Sequence, residues 1–155
     1  MKPVEFQTTW GTIALTLDGT GRAVALDLPP LHKKPTAEFS VTNSEFNSAD
    51  FFRQIEKKFG PVKIPEGTEF QQAVWREMKK IPRGQTRTYG EIAAAIGRPK
   101  AVRAVGTACG ANPLPVFIPC HRVVAKNGLG GFGSGLPWKK LLLRLEEWSN
   151  GALES

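Results

Sequence analysis

The hydrophobic period of this chain changes partway along it, and that change restricts the fold more than any other feature. From Trp10 to Leu17, and again from Arg22 to Leu28, apolar and polar residues alternate one for one, the pattern of a strand with one face buried. Asp18-Gly19-Thr20-Gly21 separates the two runs, so a β-hairpin on a short Gly-rich turn is predicted. Pro29-Pro30 ends the second run, and another short strand is predicted from about Phe39 to Thr42. From there the spacing turns helical. Phe51, Phe52, Ile55 and Phe59 fall on one face, with Ser48 as candidate N-cap and Gly60-Pro61 as the stop. Strands followed by helices make an α+β chain: a small sheet with a helix against it, then a mostly helical remainder.

Pro61 and Pro65 bracket a connector, which divides the chain into a structural unit, 1–62, and a functional one, 63–155. In the second, Thr68-x-x-Gln71 and Thr88-x-x-Glu91 are capping boxes. The first opens a helix carrying Phe70, Val74, Trp75 and Met78, stopped at Ile81-Pro82; the second opens a short helix that Gly97 terminates. Pro99 then suits the first residue of another helix, predicted from Lys100 to about Cys109. Two short helices across a Gly-containing turn read as a helix-turn-helix. The later helix has little side-chain bulk, with Ala101, Ala104, Gly106, Thr107, Ala108 and Gly110, and Lys100 and Arg103 are expected one turn apart on it. Such a surface fits either a tight helix–helix contact or a close approach to another molecule.

Residues 1–62 hold seven basic and seven acidic side chains and residues 63–155 hold fourteen and seven, so the whole net charge of +7 belongs to the second part. This is either a solvated basic surface or the footprint of a polyanion. No run approaches a membrane span and the start lacks an apolar signal segment, which points to the cytosol, or to the nucleus in a eukaryote. Cys109 and Cys120 are the only cysteines and His121 is one of two histidines. A zinc site would consume nearly all of them, so no metal is expected. Nor is there a nucleotide-binding glycine motif, and no cofactor is expected.

Chemistry concentrates at Ile118-Pro119-Cys120-His121-Arg122-Val123-Val124. Pro119, with Pro113 and Pro115 before it, disfavours a helix and is expected to hold this segment extended. Cys120 is either a small buried hydrophobe or a nucleophile. A free thiol, with a pKa of about 8.5, is only a few per cent ionised at neutral pH, so a nucleophile would need a histidine to take its proton and a carboxylate to orient the histidine. Gly128 to Gly135 contains five glycines in eight residues. A linker rarely sits between such a segment and the amphipathic helix expected after Leu136-Pro137-Trp138, and close backbone approach to a flat ligand explains the glycines better.

Asn112-Pro113, followed after five residues by Pro119-Cys120-His121-Arg122-Val123-Val124, resembles the active-site signature of the O6-alkylguanine-DNA alkyltransferases. So do Ile81-Pro82-x-Gly84, Thr88-Tyr89-x-x-Ile92-Ala93, Pro99 to Gly106, Gly131-Phe132-x-x-Gly135-Leu136 and Lys139-x-x-Leu142-Leu143-x-x-Glu146. The likeness covers roughly residues 68–147 and is weak over the first 60. It implies a ribonuclease H-like first unit and a winged-helix or helix-turn-helix second unit. It further implies transfer of an alkyl group from O6-alkylguanine, with O4-alkylthymine a second candidate, to Cys120, without turnover. The roles implied are a relay of His121 and Glu146, a thiolate contact from Asn112, and a structural tie by Arg122. Tyr89, Arg103, Lys100, Gly106, Thr107 and Ser134 would meet double-stranded DNA and an extruded base from the minor groove, the protein acting as a monomer. The family position of Phe132 is often tyrosine, which bears on pocket size. Two rivals stand beside this: a non-catalytic lesion sensor, whose class usually replaces the cysteine with tryptophan, and a cysteine hydrolase.

Overall fold

The computed structural model describes residues 3–31 and 50–149, with side chains to 146. Strands β1 (Pro3–Thr8), β2 (Gly11–Leu17) and β3 (Ala23–Asp27) form an antiparallel sheet in that order. The hairpin predicted over 10–28 is β2–β3, with Leu15 opposite Leu26. Its turn is locked by Asp18, whose Oδ1 accepts from the main-chain N–H groups of Thr20 (2.8 Å) and Arg22 (3.1 Å), the local bonding that makes aspartate a turn residue. β1, not anticipated from the sequence, pairs with β2 through Phe6 opposite Ile13. The strand expected at 39–42 and the Ser48 cap lie outside the described residues.

Helix α1 (Phe51–Phe59) buries Phe51, Phe52 and Ile55. Phe51 meets Phe6 edge-to-face at 5.2 Å between ring centroids, so α1 seats on the sheet through the face its spacing dictates. α2 (Glu69–Met78) and α3 (Tyr89–Ala95) both open with complete capping boxes, Thr68 with Gln71 and Thr88 with Glu91. α4 comprises Val102–Gly110. It begins later than expected: Pro99 and Lys100 occupy a turn ahead of it, closed by Ala101 N–H donating to Arg98 C=O at 2.9 Å, so Lys100 is not on the helix. α2 binds α4 through the Trp75 indole N–H, which donates to Ala108 C=O at 2.9 Å.

The expectation of an extended segment at Cys120 needs correction. Cys120–Arg122 form a single 3-10 turn, and only Val123–Val124 (β5) are extended, pairing in parallel with β4 (Arg87–Thr88). Pro119 does not block the turn because it precedes it, where no N–H is required. The chain closes with α5 (Leu136–Ser149). One apolar core runs from Phe6, Leu15 and Phe52 through Trp75 and Ile118 to Trp138 and Leu142. Trp138 crosses between the sheet and the helices, meeting Trp10 (5.2 Å) and Phe52 (6.0 Å) edge-on while its N–H donates to Pro29 C=O. Among the described residues no helix is long and apolar enough to cross a membrane.

Candidate active site

The loop before Cys120 is held open by its own polar groups. Asn112 Oδ1 accepts from Leu114 N–H (2.9 Å) and its Nδ2 donates to Ile118 C=O (2.8 Å). Within that loop buried Val116 takes φ 77°, a left-handed conformation that a β-branched residue adopts only where its surroundings over-determine it. The sheet contributes too, Leu26 N–H donating to Pro113 C=O at 3.0 Å. Cys120 therefore sits at the end of a braced loop, its side chain largely buried.

Next to it the 3-10 turn sends His121 and Arg122 inward onto α5. His121 is fully buried, and its Nε2–H donates to Glu146 Oε2 at 2.7 Å. Arg122 grips the same carboxylate, Nε to Oε1 at 3.0 Å and Nη2 to Oε2 at 2.6 Å, while its Nη1 donates to Ile81 C=O at 2.8 Å. Burial pushes the Glu146 pKa up, but the His121 and Arg122 contacts outweigh it and bring it to about 2. Burial pulls His121 below its ordinary value, against the pull of Glu146. The pair is thus a neutral imidazole on a carboxylate, the charge being balanced by Arg122. Donation from Nε2 leaves Nδ1 with a lone pair, and that buried nitrogen has no hydrogen-bond partner among the described residues.

Burial also pushes the Cys120 thiol up to about 11, opposed by a hydrogen bond from Asn112 and the positive charge of Lys139. Lys139, at the start of α5, has no exposed surface; its Nζ donates to Val123 C=O (2.6 Å) and Gly131 C=O (2.9 Å) and lies 5.8 Å from the centre of the Tyr89 ring. Sequence reasoning gave Lys139 no role. The available signal is its position, two helical turns before Glu146 and on the same face.

Cys120 lines two clefts. The larger, of about 750 Å³, is walled by Tyr89, Arg103, Gly106, Thr107 and Phe132, so the small-residue face of α4 opens onto the sulfur. Arg103 and Thr107 are exposed. Tyr89 O–H donates to Gly131 C=O at 3.4 Å, and burial raises its pKa. The glycine-rich loop comes close to this ring: a Cβ on Gly130, at φ 73°, would lie 2.6 Å from Tyr89. The flat group that demands a glycine there is Tyr89 itself. The smaller cleft, of about 280 Å³, is lined by Asp27, Asn112, Pro115 and Ser134. Ser134 therefore faces this cleft and does not line the larger one. Cys109, a second thiol whose pKa burial pushes up to about 12, borders both clefts. Lys100 lines neither, lying in a separate surface depression with Arg98 and Pro99.

A buried thiol, a carboxylate-backed imidazole and a cleft faced by a bare helix can support alkylation of sulfur by a planar substrate. Several known proteins resemble this chain in sequence and fold. Residues 69–148 match the family described as "6-O-methylguanine DNA methyltransferase, DNA binding domain". A methylated-DNA--protein-cysteine methyltransferase of Methanosarcina acetivorans is 44% identical over 149 residues, covering 91% of this chain and 95% of the relative. The crystal structure of the Mycobacterium tuberculosis O6-methylguanine methyltransferase superposes with a TM-score of 0.70 at 32% identity, over 95% of this chain and 93% of that one. A structure of the M. tuberculosis protein in complex with DNA gives 0.66 at 32% identity, over 94% of each chain. The correspondence extends through the sheet as well as the matched stretch, and the chain belongs to the methylated-DNA--protein-cysteine methyltransferase family.

Proposed function

We propose that this protein repairs DNA by moving an alkyl group from the O6 of a damaged guanine to Cys120, once per molecule. The observation that carries the reading is the buried His121–Glu146 pair, next in the chain to a buried Cys120 that lines a cleft walled by the small residues of α4. The thiol is protonated at rest. His121 Nδ1 takes its proton through a bridging water, for which that unpartnered nitrogen is a ready acceptor. Glu146 stabilises the imidazolium that results. Asn112 and Lys139 stabilise the thiolate, which attacks carbon in line with the departing oxygen. Ionisation contributes only part of the rate, since a thiol loses nucleophilicity as its pKa falls; holding the reactants in line supplies the rest.

A stacked base cannot reach the buried sulfur, so the guanine is extruded at a cost of a few kcal/mol. Arg103 fills the vacated space, and Tyr89, kept a phenol by its raised pKa, donates to guanine N3 as charge builds on the leaving group. α3, the turn around Gly97 and α4 act as the helix-turn-helix of a winged-helix unit, 63–155, with α4 in the minor groove and Lys100 on backbone phosphate; Gly106 and Thr107 allow close approach. Residues 1–62 form a ribonuclease H-like support. The protein acts as a monomer in the cytoplasm, or the nucleus of a eukaryote, and O4-alkylthymine is a second substrate. The lesion-sensor class usually replaces the cysteine with tryptophan, and the presence of Cys120 favours transfer.

The test is mass spectrometry after incubation with a duplex carrying O6-methylguanine. One methyl is gained on the Cys120 peptide, none by Cys120→Ala, and total uptake stops at one per molecule. Tight binding without mass gain points to a sensor, and turnover of an ester or peptide to a hydrolase.

A further inference from the structure

β3 ends at Asp27, close to the turn that bears the sulfur, although the strand lies outside the stretch 69–148 that matches the family. The smaller cleft lies where the two meet. Leu26, Asp27 and Leu28 make one wall; Asn112, Pro115 and Ser134 belong to the other. The strand is fixed there by the bond from Leu26 N–H to Pro113 C=O and, just beyond its end, by the Trp138 indole on Pro29 C=O. Asp27 is exposed at the strand end, so its carboxylate is a hydrated charge beside the cleft.

Displacement by sulfur sets Cys120 Sγ, the reacting carbon and guanine O6 on one line. The S–C bond forms as the C–O6 bond breaks, the thiol proton passes to His121, and guanine leaves with the electron pair of the broken bond, taking up a proton. The other three substituents on that carbon point sideways from the line. For a methyl adduct they are hydrogens, but a longer chain must run off beside the sulfur. With the base in the larger cleft, the open space that adjoins it at the sulfur is the smaller one, which shares Cys109, Gly110, Cys120, Phe132 and Gly133 with it.

We propose that Asp27, on the β3 wall of this cleft, makes the choice among O6 substituents larger than methyl selective by charge. Chains ending in a cation are accepted in preference to chains ending in a carboxylate. The inference rests on the alkyl-transfer reading above and assigns the N-terminal sheet a part in substrate choice beyond support.

Duplexes carrying O6-methyl-, O6-(aminobutyl)- or O6-(carboxybutyl)guanine test it. The rate of mass gain on Cys120 is measured for the wild type, Asp27→Asn and Asp27→Lys, each scaled to that protein's own rate on the methyl adduct. In the wild type the amine is favoured over the acid by roughly five- to tenfold at low salt, shrinking as salt is added. Asp27→Asn brings the ratio toward parity and Asp27→Lys inverts it. The same ratio in all three proteins overturns the charge filter and leaves alkyl transfer standing. If the wild type takes up no methyl group, the reaction itself has been misread.

Discussion

Lys139 is a lysine in a place where lysines are rarely found. Full burial of an ammonium group requires partners, and here both are carbonyl oxygens, those of Val123 and Gly131. Burial lowers its pKa, and the Cys120 and Cys109 thiolates raise it, so the ammonium and the Cys120 thiolate stabilise each other. Lys139→Met keeps most of the volume and removes the charge. The expected result, in a Cys109→Ala background, is a thiolate absorbance that appears at higher pH and methyl transfer slower by about tenfold, corresponding to about one pKa unit of lost interaction. An unchanged thiol titration would show that Lys139 serves the fold alone. The spacing of Lys139 from Glu146 is visible in the sequence. Its burial is not, because a lysine at such a position ordinarily runs its stem along the surface and keeps its charge in water.

At the scale of elements, the loop 128–135 acts through one backbone position. Gly130 is left-handed and in contact with Tyr89, whereas a Cβ on Gly128 would meet nothing within 4 Å. Gly130→Ala should cost about 1 kcal/mol for its backbone conformation and displace the Tyr89 ring. Transfer from duplex DNA should then fall at least tenfold, with only a few degrees lost from Tm, while Gly128→Ala behaves like the parent. Kinetics beside a melting curve distinguish these outcomes; parallel behaviour of the two variants would contradict a positioning role for the loop. Elements specified by short-range chemistry were the legible ones. The α2 and α3 capping boxes and the Asp18 turn each depend on side chains within four residues of the groups they bind. β1 escaped because only Phe6 of its six residues is buried, leaving almost no alternation to read. The turn at Cys120 escaped because His121 and Arg122 bend inward to meet Glu146, a partner from another part of the chain. Asp27 is likewise a neighbour of Cys120 only in three dimensions.

For the molecule as a whole, stability should depend on pH through opposed terms. Glu146 has a folded pKa of about 2, below its ordinary 4.5. A depressed carboxylate contributes stability that is complete above 4.5 and is lost as pH falls toward 2. His121, lowered by burial, acts in the same direction once pH drops below 6.5. Glu56 on α1 opposes them: burial raises its pKa to about 7, against the attraction of Arg122 and Arg83 and with some repulsion from Glu146. A raised carboxylate costs stability increasingly from 4.5 up to about 7 and constantly above. Glu56→Gln should therefore be more stable than the parent at pH 8, by on the order of 2 kcal/mol, and indistinguishable from it at pH 4. Denaturant melts at the two pH values decide it, and an equal effect at both would show that the side chain does not titrate in this range.

Helix α5 carries Trp138, Lys139 and Glu146 on one rod, and these three reach the sheet, the loop over Tyr89 and the imidazole respectively. Detaching that rod would disconnect all three at once. A molecule melted in part has no structural basis here: a single fastening ties the sheet to the cleft and to the buried imidazole.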